Sequence, residues 1–413
     1  MSGLLLDNVY NDLQGDMKED LNGKTASLSQ VAWSNIHNEP IVATTVQVDG
    51  KSFFLDSIDT GTMSKNSNNL KDLCTKSMVT CKEKYNCMIK TIVTDNAANM
   101  AKMREALKSE DSELLAYGCS AHLLNLLGDD VTPSNVIKHV KEINKYFRNH
   151  HKPCVWLGEM SSTKLLLPGE TRWKSQVMCI ESYLKNRSHL MQIVQYHVDE
   201  IDRTIAQKIQ DHNIYKNAKD LMEQLKLIAV AIDKCQSDTT SIADACHEWF
   251  MLLENGPLAS HIEKVKKRFQ QAITPEHLLA YALHPKYLGA KLRDDDFIIV
   301  HDTLSNIDDG LMATFIALLA RDEPFPKSFF TDAAVTMNPK VWWKGLRRYN
   351  VPTTLVDLAI KMMSSPASSA SIERVFSNFG IIRNKIRNRL GNEKASKLVY
   401  CYRMLRQEKE LDY

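Results

Sequence analysis

The amino-acid sequence predicts an α/β protein: a mixed sheet covered by helices, interrupted by a large all-α insertion and completed by C-terminal helices. Residues 24–127 alternate between short β-rich runs and helical spacing. An Asp49-Gly50 dipeptide joins two of the β-rich runs, a strong hairpin signal. From about residue 175 to 360 the β-rich runs vanish and helical spacing alone remains.

The elements follow in order. "TASLSQVAW" and "PIVATTVQV" are strand-like, and "KSFFLDSI" follows the Asp49-Gly50 turn, so three strands form an antiparallel meander. "NNLKDLCTKSMVTCKEKY" sets Leu70, Leu73, Cys74, Ser77 and Met78 at helical spacing. "MIKTIV", closed by Asp95 and Asn96, suits a strand buried on both faces. "NMAKMREALKS" is helical, "LLAYGC" a fifth strand candidate, and "AHLLNLLGDDV" a helix. The resulting order, β-β-β-α-β-α-β-α, is that of the RNase H-like fold. The expected divisions are a helical lead-in over 1–23, the first part of the core over 24–175, an all-α insertion over 176–340 and a C-terminal region over 341–413.

Within the insertion, Val265, Phe269 and Ile273 line one stripe of a helix crowded by Lys264, Lys266, Lys267 and Arg268. That basic run reads first as a solvated face and only second as a phosphate contact. Further on, "SSPASSAS" is a loop that delivers a helix starting near Ser371. After Gly391 a last helix presents Ala395, Leu398, Val399, Tyr402 and Leu405 on one side, to its own domain or to another subunit.

At 413 residues the chain is too long for one simple core, and two or three units are expected. Its 52 basic and 50 acidic residues leave a net charge of +2, which demands no polyanion partner. Local patches are another matter. "IIRNKIRNRL" carries Arg383, Lys385, Arg387 and Arg389 without an acid. "VIKHVKEINKYFRNHHKP" carries Lys138, Lys141, Lys145, Arg148 and Lys152 against Glu142 alone. Solvated surface and nucleic-acid contact both fit these runs. No apolar run approaches the ~18 residues that span a membrane, and the N-terminus lacks the basic n-region of a signal peptide. The nine cysteines are scattered without a C-x-x-C, which points to a reducing compartment. Cys119 and His122 form the one short Cys/His pair; they supply too few ligands for a zinc site and read as a buried structural pair.

Two acids stand out. Asp95 ends the buried strand, where open α/β sheets bind ligands, although capping the next helix is an equally ordinary role. Glu373 lies in the first turn of its helix, where the helix dipole alone would favour it.

"YGCSAHLLNLL", "VTDNAANM", "ETRWKS", "LHPKYLG", "NPKVWWKGL" and "SSASIERVFSNFGIIRNKIRNRL" resemble, in order and over nearly the whole chain, the hAT superfamily of transposases and their domesticated relatives. The resemblance implies an RNase H-like catalytic core closed by a C-terminal dimerisation region. It also implies an Asp-Asp-Glu triad holding two divalent metals, Mg²⁺ or Mn²⁺, for attack at phosphorus. Asp95 matches the second Asp and Glu373 the Glu. Arg172 and Trp173 match the family's Arg-Trp, whose Trp stacks on an extruded base; anchoring the sheet to the insertion is the alternative. Cys119 and His122 match its C-x-x-H, whose His lies near the active centre.

The first Asp is missing. The family's first strand ends in Asp-Gly-Trp, whereas this chain has Val31-Ala32-Trp33. Valine has no oxygen to offer Mg²⁺. Asp49, Asp56 and Asp59 are not expected to replace it, because the third strand sits two places from the first. The expectation is a catalytically inactive, nuclear protein that forms homodimers or higher homo-oligomers and binds DNA or chromatin partners. It would need no cofactor, would bind Mg²⁺ or Mn²⁺ at Asp95 and Glu373 only with residual activity, and would have no membrane or small-molecule partner. An active transposase and a purely structural dimerisation module are the alternatives. Relatives often carry an upstream BED zinc finger; no Cys/His quartet precedes the core here, so sequence-specific recognition is not expected.

Overall fold

Five strands form a single mixed sheet in the computed structural model, which describes residues 3–34, 39–169, 174–382 and 391–411. They are β1 (Thr25–Ser34), β2 (Pro40–Val48), β3 (Lys51–Asp59), β4 (Met88–Thr94) and β5 (Leu115–Gly118). Their order across the sheet is β3-β2-β1-β4-β5. β1–β2 and β2–β3 pair antiparallel, as the meander requires; β1–β4 and β4–β5 pair parallel, as the intervening helices require. Asp49 and Gly50 both take left-handed backbone, φ 51° and 81°, the two-residue turn whose twist matches the flanking strands. The β4 segment is buried on both faces from Thr91 to Thr94.

By contact the chain forms two compact units. The first comprises Met1–His122, Lys234–Glu248 and Ala272–Tyr413, and contains the sheet. The second comprises Leu123–Asp233 and Trp249–Gln271 and is helical among the described residues.

In the first unit, helices α1 (Gly3–Leu21), α2 (Ser67–Tyr85) and α3 (Ala98–Glu110) cover the sheet, and α4 (Ser120–Val131) starts directly after β5. α2 begins where the Asn66 side chain accepts the Asn69 amide at 2.9 Å, and ends at Asn86 in left-handed backbone. Its inward stripe is Leu70, Cys74, Ser77, Cys81 and Tyr85. The core joins these residues to Leu28, Val46, Phe54 and Ile92 of the strands, and to Ile372, Val375, Phe379, Val399 and Tyr400 from near the chain's end.

The terminal helix, Asn392–Leu411, turns a different face inward from the expected one. Ala395 and Val399 are buried as expected, but Tyr402 and Leu405 are exposed, while Tyr400, Cys401 and Met404 are buried in their place. The helix has three neighbours, the Ala370–Ile382 helix, α1 and β3, rather than one. Tyr400 turns towards α1: its hydroxyl donates to the Leu13 carbonyl at 3.2 Å and its ring lies 4.9 Å from that of Tyr10. A single-stripe reading cannot anticipate a helix packed among three partners.

Aromatic residues hold the remainder of this unit. Trp342 and Trp343 are buried, and their indole N–H groups donate to the Phe329 carbonyl at 2.8 Å and the Leu283 carbonyl at 3.0 Å. His277 is fully buried behind Tyr117, ring centroids 5.1 Å apart, and its Nδ1 pairs with the Thr274 hydroxyl at 2.9 Å. His284 accepts the Lys286 amide at Nδ1 and faces Asp244, whose carboxylate also takes the Tyr287 hydroxyl at 2.9 Å.

In the second unit, α5 (Ser134–Asn149) buries Val136, Val140, Ile143 and Phe147. Its buried Asn144 donates to the Leu166 and Cys179 carbonyls at 2.8 and 3.1 Å. The basic run 264–268 is partly spent on structure: Arg268 forks onto Asp130 at 2.7 and 3.2 Å, Lys264 donates to the Asp130 carbonyl, and Lys266 pairs with Glu263.

Gly118 ends β5 where a side chain has no room. A Cβ there would lie 1.8 Å from Asn96 Oδ1, and Asn96 is held by donating to the Cys119 carbonyl at 2.8 Å. Gly118→Ala is expected to cost about 1–3 kcal/mol, as overpacking does. Removing the obstacle in an Asn96→Ala/Gly118→Ala double variant should recover part of the loss. Urea denaturation measures both; a Gly118→Ala loss that the second substitution deepens additively would count against the clash.

Candidate functional site

Parallel pairing of β1 with β4 sets Gln30 opposite Thr94 as the last matched pair. One residue further along each strand stand Val31 and Asp95. Val31 lies inside β1 and Asp95 directly after β4, each one step past the last paired positions of two adjacent parallel strands. Val31 is half-buried against the core.

Asp95 does not cap α3. The cap position is Ala97, without a side-chain hydrogen bond, and Asp95 Oδ1 instead accepts the Ala97 amide at 3.0 Å in a short Asx-type turn. Behind it, Arg104 donates to the Thr94 hydroxyl and, at 2.8 Å, to the Asp95 carbonyl. Burial pulls the Arg104 pKa down, opposed by the Asp95 carboxylate, so a guanidinium backs the strand end.

Glu373 arrives on the helix Ala370–Ile382. Each residue of "SIERVF" has a separate anchor. Ser371 shares a buried hydrogen bond with Thr45 of β2 at 2.8 Å, and Ile372 and Val375 enter the core. Arg374 donates to the Gln236 carbonyl and pairs with Asp238, while Phe376 lies 4.0 Å from the Trp33 ring. Trp33 also meets Phe379 at 5.4 Å, so the last turn of β1 and the Glu373 helix are joined by three rings. Glu373 itself is exposed and accepts from Gln236 Nε2 at 3.5 Å.

The loop before this helix is tied to the start of α4. The Ser120 amide donates to the Ala367 carbonyl at 3.1 Å, and the Ser369 amide to Cys119 Sγ at 3.4 Å. Burial pushes the Cys119 thiol up; hydrogen bonds from Ser369 and the His122 backbone oppose this, and Glu373 adds to the rise. Cys119 is thus a buried thiol that joins strand end, loop and helix, while His122 is half-buried. The residues that sequence reading missed here are Arg104, Gln236 and Asn96. Each acts on a backbone carbonyl or over a long separation, and such contacts leave no local period.

The other acids lie elsewhere. Asp49 sits in the hairpin turn, at the opposite end of β1 from Val31, and pairs with Lys340 at 3.1 Å. Asp56 and Asp59 are on edge strand β3, two places from β1. Among the described residues no group of three or more His, Cys, Asp or Glu converges to hold a metal ion. Val31, one residue past the last β1–β4 pair, contributes no oxygen to a metal. Arg172, Trp173, Arg383, Lys385, Arg387 and Arg389 lie outside the described residues.

Two family comparisons bear on this arrangement. Residues 1–147 match a domain of unknown function, DUF659, that is found in hAT-like transposases. Residues 321–405, which supply the Glu373 helix, match the hAT family C-terminal dimerisation region. In these two segments the chain is similar to hAT transposases. No curated protein matches it. The two matched segments contain Asp95 and Glu373 respectively. Among the described residues, no helix is long and apolar enough to cross a membrane.

Proposed function

We propose that this chain is a hAT transposase relative whose RNase H-like core no longer cuts DNA, and that it acts as a nuclear, self-associating protein that binds DNA or chromatin partners. The strand order β3-β2-β1-β4-β5, a meander extended by parallel strands, supports the RNase H-like reading. The observation that carries this reading is that Val31 and Asp95 each stand one residue past the last β1–β4 pair, Gln30 and Thr94. In the triad that the family uses, that strand end supplies an anionic oxygen; here it supplies a methyl group. The dimerisation region supports self-association. Arg172, Trp173, Arg383, Lys385, Arg387 and Arg389 are the proposed DNA contacts from the matched motifs, and Mg²⁺ or Mn²⁺ would enter only with residual activity.

The alternative is an active enzyme built on the retained Asp95 and Glu373. A nicking assay on terminal-repeat DNA with Mn²⁺ separates the two. The native chain is expected to cut no more than the chelator control, while Val31→Asp/Ala32→Gly restores a third carboxylate and should raise metal-dependent nicking. Cleavage by the native chain that Glu373→Ala abolishes would overturn the reading.

A further inference from the structure

We propose that the outward face of α5 is a docking strip for the phosphate backbone of double-stranded DNA. Lys138, Lys141, Lys145 and Arg148 recur at intervals of three, four and three residues, so they share one face of the helix. All four are exposed. Their mean direction is roughly 150° around the axis from the buried stripe of Val136, Val140, Ile143 and Phe147, at 100° per residue. The strip faces away from the unit's core and runs about 15 Å along the helix. One strand of a duplex presents a phosphate every ~3.4 Å of axis, so the strip's length matches about four phosphates.

The surrounding charges decide between this face and the other basic runs. Glu142, the one acid among residues 134–152, is held by Lys208 at 2.6 Å; His139 lies 3.9 Å away, and Lys138 also helps to hold its carboxyl low without pairing with it. Lys152 is paired with Glu200. None of the four strip cations is within ion-pair distance of a carboxylate among the described residues. The 264–268 run makes the contrast. There Arg268, Lys264 and Lys266 are held by Asp130 and Glu263, so less of its charge is available to a partner. A one-sided row of available cations on a rigid helix fits a repeating polyanion better than a compact ligand.

The choice of DNA as the polyanion rests on the proposed function above; the existence of the strip does not. The test is the full chain against the quadruple variant Lys138→Ala/Lys141→Ala/Lys145→Ala/Arg148→Ala. Alanine at exposed helix positions keeps the helix, and an unchanged melting temperature verifies that. Binding to a fluorescent 30-base-pair duplex is followed by anisotropy between 50 and 200 mM NaCl. Each lost phosphate contact removes about 0.9 from the slope of log K against log salt. The quadruple variant is expected to have a slope shallower by about 3.6 and to bind at least ~10-fold more weakly at 100 mM. A native chain that binds the duplex with the same slope and affinity as the variant overturns the strip and leaves the proposed function standing. A native chain that does not bind the duplex at 50 mM overturns both. A variant that loses single-stranded RNA but keeps the duplex assigns the strip to RNA and also overturns the proposal.

Discussion

Acidification from pH 7 to 4.5 is expected to destabilise the sheet-bearing unit by on the order of 5 kcal/mol, through two buried histidines. Burial drives His277 down to about 4; Glu276 opposes this and Lys108 adds to it. Burial likewise drives His284 to about 4, opposed by Asp244 and assisted by Lys286 and His247. Both folded values lie below the unfolded value near 6.5. The unfolded chain therefore binds protons first as the pH falls. The stabilisation is complete above about pH 6.5 and is lost as the pH falls towards 4, with a limiting slope of about 2.7 kcal/mol per unit for two sites. Urea denaturation at pH 7, 6, 5 and 4.5 measures it. His284→Asn keeps an acceptor for the Lys286 amide without a titrating ring, and should halve the slope. A stability that stays flat between pH 7 and 5 would show that neither ring is protonated on unfolding. Glu276 contributes over a lower range: burial raises its carboxyl, but hydrogen bonds from Lys108 and Thr274 outweigh that and leave it below its usual value.

Trp343→Ala is expected to cost about 4 kcal/mol at neutral pH, within the range for a fully buried aromatic residue. The indole contacts Trp342 and Phe325 at ring distances of 5.2 and 6.4 Å, and its N–H satisfies the Leu283 carbonyl. Truncation opens a cavity and leaves that carbonyl without its donor, two costs that add. Trp343→Phe retains most of the volume but not the donor, so its smaller loss, roughly 1–3 kcal/mol, isolates the hydrogen bond. If Trp343→Ala lost less than the Phe variant in urea denaturation, the packing account would fail.

Much of the sheet was legible because its signals are local. Asp49-Gly50 marks the hairpin, and the alternation of apolar runs with helical spacing separates meander from parallel strands. Trp33 was legible as a kept residue but not as a ring packed against Phe376 and Phe379, because those partners lie more than 300 residues away. The Asp95 carboxylate was legible as poised; that it turns back on Ala97 rather than capping α3 depends on backbone geometry that composition does not encode. The terminal helix shows the same limit, since its three neighbours demand more than one face and a helical stripe expresses one.

The core's make-up also sets a timetable for synthesis. The strands end at Gly118, yet they share one apolar cluster with residues from Ile372 to Met404. At roughly 5–20 residues per second, the ribosome needs on the order of 15–60 s to pass from one to the other. Through that interval α1, α2 and α3 cover only part of the apolar cluster, and the strand side chains that the later residues bury stay open. The Glu373 helix and the terminal helix arrive as the closing pieces, so a chain terminated before residue 372 would leave the sheet open and prone to associate through that face.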